Sequence, residues 1–455
     1  ANMSKLKNNQ SYPDSVCVLG AGSSGLAAAR NFREMGLDVD VVEACSDLGG
    51  NWNYDLPISR VYRSTHAISS KAGTEFPDYP MPEAFPDYPH HSEILEYLKG
   101  YARHFEIEDC IEFGLSIEEI KPSSMMAPTG DHCWDVRLSN GEVRSYGAVA
   151  IANGHNNHPV FPDYPGVFNG QSMHSADYKV SEILLKKRVL VVGGGNSGCD
   201  IVVEAAHKAQ AAFHSTRRGY HYIPKYLWGK PSDTVAEFMH QLRIPIVIQR
   251  WIANISLFLA QGRQENIGLP KPDHRLFETH PIVNSLLQYF VRHGAITPKP
   301  DITRLEGNRV YFVDGTDEHI DLLIWATGYQ TTFPFIKEKY LNWSRGIPRL
   351  YKHIFHPQYD NLFVLGMVQP DSGQFGIIHW QCRAAALYLN AAWAKQSSCQ
   401  WLKEKKRSPI EDLSGGIRFQ KTYRHQIEVE HATYTRKLKK MVRQLEKSTG
   451  VEPST

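Results

Sequence analysis

The chain has 455 residues, of which 42% are hydrophobic and 11% aromatic, enough to bury two or three domain cores and too rich in rings for a disordered chain. Its 50 Lys and Arg against 48 Asp and Glu leave a formal charge of +2, with no long basic block, which argues against a nucleic-acid partner. The seven cysteines include no CxxC pair, which removes zinc ribbons and dithiol redox motifs and points to a reducing, cytoplasmic setting.

In chain order, residues 1–10 are polar and lack the apolar run of a secretory signal. The apolar run 16–19 reads as a buried parallel strand. It enters Gly20-Ala21-Gly22-Ser23-Ser24-Gly25, after which a helix is predicted over 26–35, stopped by Gly36. Residues 39–42 form a second strand ending at Glu43, which completes a βαβ unit. Residues 133–138 and 147–151 read as strands with an Asn140-Gly141 turn between them, and the Pro-rich 158–165 as an extended connector.

A second unit repeats the order: strand 188–192, Gly193-Gly194-Gly195-Asn196-Ser197-Gly198, helix 199–209, then strand 211–214 leading to Ser215-Thr216-Arg217-Arg218. Its fingerprint begins 173 residues after the first, a spacing of two nucleotide-binding domains rather than of a solenoid. Residues 222–294 are predicted to be a helical insertion. Within it, 244–260 is interrupted by Gln249, Arg250, Asn254 and Ser256, so no transmembrane segment is expected and the helix should pack on its own domain. Strand character returns at 310–313 and 322–325. The tail 419–447 reads as a charged helix with Tyr423, Ile427 and Leu438 as buried contacts, and the basic tracts 403–407 and 437–443 as solvated helix faces.

A phosphate is held by backbone N–H groups at a helix N-terminus, which requires close approach. Gly20 permits the tight turn, Gly22 the approach, and Gly25 the packing of helix on strand. Glu43, 18 residues past Gly25, is placed to accept hydrogen bonds from ribose hydroxyls. The second loop has Arg217 in that place, 19 residues past Gly198. A carboxylate there would repel a 2′-phosphate, whereas a guanidinium binds one bidentately. The two loops together read as FAD at the first and NADPH at the second.

Further segments carry a resemblance. Leu48-Gly49-Gly50-Asn51-Trp52, the run from Phe168 through Gly170 and His174 to Tyr178, and Ala326-Thr327-Gly328-Tyr329 are similar to segments of the flavin-containing monooxygenases, and the likeness extends from Val16 to about Arg383. It implies an α/β fold of two Rossmann-like domains, with an NADPH domain at 166–319 inserted into an FAD domain split between 10–165 and 320–455. It also implies NADPH- and O2-dependent oxygenation of a soft nitrogen or sulfur nucleophile, an amine or thioether, through a flavin C4a-hydroperoxide.

Carried over by resemblance, the FAD contacts are Gly20, Ala21, Gly22, Ser23, Ser24, Gly25, Glu43, Gly50, Asn51 and Trp52. Those for NADPH are Gly193, Gly195, Asn196, Ser197, Gly198, Thr216 and Arg217. Gln381 and Arg383 fall in the late flavin-side segment, and His174 and Tyr178 are expected to couple the domains. One departure matters: the family's active-site Asn is Ile68 here, which cannot donate a hydrogen bond. His66 and Ser69 are the nearest polar substitutes. Ile68 keeps uncoupled NADPH oxidation to H2O2 open as an alternative, and Baeyer–Villiger oxygenation of a carbonyl also stays open, although Tyr178 argues against it. A module that merely holds FAD and NADP is a third reading. The chain is compatible with a homodimer. No metal is expected, because His90, His91, His155, His158 and His221 lack Asp, Glu or Cys partners at ligand spacing.

Overall fold

The computed structural model describes residues 10–280, 282–408, 411–417 and 426–452. Its first sheet has seven strands. The strands Ile111–Phe113, Asp38–Glu43, Gln10–Leu19 and Val143–Ile151 lie side by side and parallel. Val143–Ile151 then forks: its first half pairs antiparallel with His132–Leu138, and its last residues pair parallel with Leu362–Val364. A chain segment from far along the sequence thus returns to the first sheet. The helix Ser23–Glu34 follows the first strand, and Gly36 ends it at φ +75°, a left-handed conformation that glycine adopts without strain. Gly141, at φ +83°, makes the predicted turn between His132–Leu138 and Val143–Ile151.

The helix Phe375–Trp393 is apolar on nearly every face and correspondingly buried. It shares one core with the helix Ser23–Glu34 and with His431–Thr449 near the C-terminus. Arg383 crosses that core, donating to Glu34 at 2.6 Å and to Glu446 at 3.1 Å. A buried guanidinium between two carboxylates holds helices together; the resemblance had placed Arg383 on the flavin side.

The second sheet is parallel throughout, in the order Ile296–Lys299, Ala211–Ser215, Arg188–Val192, Leu322–Trp325, Gln171–His174. Beside it lies a four-stranded sheet of Asp317–His319, Arg309–Phe312, Ile302–Gly307 and Gly166–Phe168.

The predicted insertion is only partly helical. It holds the helices Ser232–Gln241, Ile246–Gln261 and Leu287–Arg292, interleaved with two-residue strands such as Tyr222–Ile223 and Ile282–Val283, which pair with each other. The helix Ile246–Gln261 departs from expectation, since only Gln249 and Ala253 are buried while most of its large apolar side chains face outward. The helix His431–Thr449 begins where the Glu430 carboxylate caps it by accepting from the amides of Ala432 and Thr433 at 3.0 and 2.6 Å, and residues 419–425 of the predicted span lie outside the described residues. Ile427 and Leu438 are buried as expected, and Tyr423 lies outside the described residues. All seven cysteines are free thiols. Among the described residues no helix is long and apolar enough to cross a membrane.

Candidate active site

Both glycine loops sit at the C-terminal ends of parallel strands, where ligands bind in open α/β sheets. Gly20 turns at φ +98°, and a Cβ there would stand 2.7 Å from the Ala152 carbonyl oxygen. A Cβ on Gly25 would lie 1.8 Å from the Gly20 oxygen, so any side chain would push the helix Ser23–Glu34 off its strand. That helix has no side-chain cap at Gly22, which leaves its first N–H groups open to an anion. The buried Glu43 carboxylate accepts from the Ala21 amide at 2.7 Å and from the Cys45 amide at 2.8 Å, holding the loop to the end of the second strand.

The segment Gly50–Trp52 forms a short 3-10 turn against the same loop, with a Gly50 Cβ position 3.0 Å from the Gly22 Cα. Asn51 is exposed; its side-chain oxygen accepts from the Arg60 amide at 2.8 Å, and Trp52 is half-buried. Ser23 and Ser24 open the helix, and Ser24 Oγ packs against Gly366. Gln381 lies behind that contact. Fully buried, it accepts from the Gly366 amide and donates to Tyr434 Oη, both at 2.8 Å, so its amide is used within the protein to position Gly366.

The second loop repeats the geometry. Gly193 turns at φ +125°, and its Cβ would stand 2.1 Å from the Ala326 oxygen; a Gly198 Cβ would stand 2.1 Å from the Gly193 oxygen. The helix Asn196–Lys208 also lacks a side-chain cap, at Gly195. Ser197 lies in its first turn, and Asn196 accepts from the Val283 amide at 2.8 Å, which joins the loop to the insertion. Thr216 is buried beyond the end of Ala211–Ser215 and donates its amide to the Lys299 oxygen at 3.1 Å. Arg217 follows, exposed on the loop's side of the sheet, while the Arg218 guanidinium sits 5.1 Å from the Tyr220 ring centroid. These uncapped N-termini, close-packed glycines and flanking carboxylate or guanidinium fit two dinucleotides.

The segment that carries Ile68 lies between the two loops. Tyr62, at its start, donates to Asp200 of the second loop's helix at 2.7 Å, and Asn284 of the insertion donates to the same carboxylate at 2.8 Å. Tyr178 donates to Glu204 on that helix, and the His174 ring lies edge-on to Tyr329. Ile68 and Ser69 border a mainly apolar cavity of about 110 Å³, closed on its other side by the insertion helices. Ser69 Oγ shares a hydrogen bond with Thr74 Oγ1 at 2.9 Å. His66 does not join Ser69 at this cavity. It is exposed, with Nδ1 at 2.8 Å from the Ser64 oxygen and its ring edge-on to His90.

Sequence reasoning missed the cavity's acids. Asp233, on the insertion helix Ser232–Gln241, accepts from the Ser70 amide at 2.7 Å and from Ser70 Oγ at 2.9 Å. Asp371 accepts from the His431 amide at 2.8 Å, and removal from water, then the Glu430 charge, raise its carboxyl above the ordinary carboxylate range. His240 Nε2 stands 3.6 Å from Glu430. No motif marks Asp233 or Asp371, whose carboxylates accept from Ser70 and His431, far away in sequence.

The chain matches the family described as FMO-like, flavin-binding monooxygenase-like, over residues 14–447. Flavin-containing monooxygenase 1 of Sus scrofa is 34% identical over 374 residues, covering 78% of this chain and 70% of that protein. Dimethylaniline monooxygenase [N-oxide-forming] 2 of Oryctolagus cuniculus is 32% identical, covering 81% and 72%. Among solved structures, S-allyl-L-cysteine S-oxygenase from Allium sativum superposes with a TM-score of 0.63 at 20% identity, covering 99% of this chain and 90% of that one. The open form of cyclohexanone monooxygenase gives a TM-score of 0.67 at 16% identity, covering 98% and 99%. The chain is a flavin-dependent monooxygenase of mixed α/β fold and belongs to the flavin-binding monooxygenase-like family.

Proposed function

We propose that this enzyme transfers one atom of O2 to a soft nitrogen or sulfur nucleophile, with FAD at the first glycine loop and NADPH at the second. For a thioether the balance is one sulfide, one O2, one NADPH and one proton giving one sulfoxide, one NADP+ and one water. The division follows the sequence reading: 166–319 holds NADPH, and 10–165 with 320–455 holds FAD. The observation that carries the reading is the contrast between the loops, one held by the buried Glu43 and the other followed by the exposed Arg217.

The flavin supplies reduction by NADPH and activation of O2. The protein's share is orientation and exclusion of water. The open N–H groups at the two uncapped helix starts, Gly22 with Ser23 and Ser24 and Gly195 with Asn196 and Ser197, would face the FAD and NADPH pyrophosphates, while Gly20, Ala21 and Gly193 shape the turns with their amides spent on Val42, Glu43 and Ser215, and Arg217 would take the 2′-phosphate. The apolar wall beside Ile68 keeps water from the reacting atoms.

The relatives named N-oxide-forming favour an amine, and the Allium sativum S-oxygenase a sulfur substrate, as this enzyme's chemistry. Oxygen accounting tests the proposal: purified holoenzyme with NADPH and a dialkyl sulfide should yield sulfoxide in near-stoichiometric ratio to NADPH. If H2O2 accounts for all NADPH consumed with amine and sulfide alike, the proposal fails. A second reading, uncoupled NADPH oxidation to H2O2, is favoured by Ile68, which lends no hydrogen bond at the cavity mouth.

A further inference from the structure

Residues 53–70 form no helix or strand, yet they bring Ile68 and Ser69 to the cavity. Their middle, 59–64, is fastened to a part of the chain far along the sequence. The Tyr62 ring is buried in the core that holds Val189, Val191 and Ile324 of the second sheet, edge-on to Tyr178 with ring centroids 5.6 Å apart. Its hydroxyl donates to Asp200, 138 residues away, and Ser64 donates to Glu204, one helical turn further along. The backbone is tied as well. The Arg63 amide donates to the Lys179 oxygen at 2.9 Å, and Lys179 Nζ returns to the oxygens of Ser59 and Val61 at 2.9 and 3.0 Å. A segment without a backbone ladder of its own takes its order from such contacts.

The helix Asn196–Lys208, which carries both carboxylates, also opens the second glycine loop with its uncapped first turn. In that turn Asn196 Oδ1 accepts from the Val283 amide at 2.8 Å, and Val283 lines the cavity. One turn on, Asp200 is the shared partner of two segments that border the cavity. Tyr62 Oη donates to one of its oxygens at 2.7 Å, and Asn284 Nδ2 donates to the other at 2.8 Å. Asn284 is itself fixed, because its Oδ1 accepts from the amides of Leu286 and Leu287 at 2.9 and 2.8 Å. A carboxylate suits this place, since its two oxygens accept from a phenol and an amide at once, and a neutral amide has only one oxygen to offer.

We propose that Asp200 is a positioning residue that couples the nucleotide at the second loop to the oxygenation cavity, so that each ligand strengthens the binding of the other. The proposal rests on the assignment of NADPH to that loop. A phosphate held at the helix start steadies the helix. Through Asp200 and Glu204 the helix steadies residues 62–64, and through Asn284 it steadies the neighbour of Val283. A substrate then meets a wall that is already ordered and gives up less conformational freedom on binding. By linkage, a substrate in the cavity tightens the nucleotide by the same factor.

The test uses the oxidised holoenzyme, in which NADP+ and a thioether bind without turnover. Titration calorimetry gives the dissociation constants of NADP+ and of methyl phenyl sulfide, each with and without the other at saturation. NADP+ should tighten the sulfide about fivefold or more, and the sulfide should tighten NADP+ by the same factor. Asp200→Asn and, separately, Tyr62→Phe should bring that factor close to one and leave the affinity for NADP+ alone nearly unchanged. Tyr62→Phe removes one hydroxyl and keeps the buried ring, so it decides alone if Asp200→Asn does not fold. The exchange Asp200→Asn/Asn284→Asp should restore the factor, because the amide at 200 then accepts from Tyr62 and donates to the carboxylate at 284. A merely structural role would lower the melting temperature and both affinities together and leave the factor intact. The proposal is overturned if NADP+ and the sulfide bind the wild-type protein independently, if Tyr62→Phe keeps the wild-type factor, or if the folded exchange variant stays uncoupled. Failure of the cofactor assignment looks different: NADP+ then does not bind the wild-type holoenzyme at all, and the proposal falls with it.

Discussion

Glu43 reaches back under the first glycine loop and takes the Ala21 amide hydrogen at 2.7 Å, while its other oxygen takes that of Cys45 at 2.8 Å. One carboxylate thus fixes the loop from both ends of a six-residue strand's exit. Glu43→Ala would leave two backbone donors unpaired in a buried place, at about 1–3 kcal/mol each. The variant should purify with most of its flavin lost, read from the ratio of visible to protein absorbance. A fully yellow Glu43→Ala protein would remove the first loop from the flavin site.

Arg217 is the exposed guanidinium next to the second loop. Charge-assisted bonds contribute about 1.5–3 kcal/mol, so Arg217→Ala should raise the KM for NADPH roughly ten- to a hundredfold. The KM for NADH, which has no 2′-phosphate, should move less than threefold. Steady-state kinetics with both nucleotides decides it; equal changes would take the phosphate away from Arg217.

Asp233 ties the Ser70 turn to the insertion by two hydrogen bonds. Asp233→Ala should loosen the cavity wall that carries Ile68 and Ser69. The expected result is a fivefold or greater rise in the KM for the oxygenated substrate, with the KM for NADPH unchanged. Parallel shifts in both constants would point to general damage instead.

Ile68 stands where a hydrogen-bond donor would be placed by resemblance. Ile68→Asn should raise the ratio of sulfoxide formed to H2O2 released at least twofold, measured by product chromatography beside a peroxide assay. An unchanged or lower ratio would separate coupling from this position.

Two buried histidines predict how stability falls in acid. His214 and His356 are both held down to about 4 from an ordinary 6.5, chiefly by removal from water, with the Lys406 charge adding to the second. His356 Nδ1 accepts from the amides of Gln358 and Tyr359 at 3.1 Å, which requires the unprotonated ring. Because the folded values lie below the unfolded one, their contribution is complete above pH 6.5 and is lost as pH falls toward 4. Each histidine takes up one proton on unfolding in that window, a slope of about 1.4 kcal/mol per pH unit. His214→Gln should flatten denaturation free energy against pH by that amount, and an unaltered slope would contradict the buried neutral imidazole.

Local chemistry made much of this legible. The glycine loops, the strands leading into them and the Asn140-Gly141 turn depend on neighbours within a few residues, and the structure closes each within a residue or two of its predicted C-terminal end. Long-range closure was not legible. Leu362–Val364 joins the first sheet across more than two hundred residues, Asp233 caps a turn 163 residues away, and Gln381 spends its amide on Gly366 and Tyr434. His66 and Ser69 are three apart in sequence yet face solvent and cavity respectively. The helix Ile246–Gln261 shows the limit of periodicity, because an apolar pattern on both faces does not say which one the protein covers.

The seven free thiols carry a consequence for the uncoupled reaction proposed above as the second reading. Desolvation pushes every one of them above the ordinary thiol range, Cys45 to about 11 beside the Glu43 charge. Peroxide attacks the thiolate, and a thiol kept protonated in a dry interior offers almost none. Under that second reading the fold would shield its own sulfur from the peroxide formed, and the polypeptide should outlast many futile turnovers without sulfenic-acid damage.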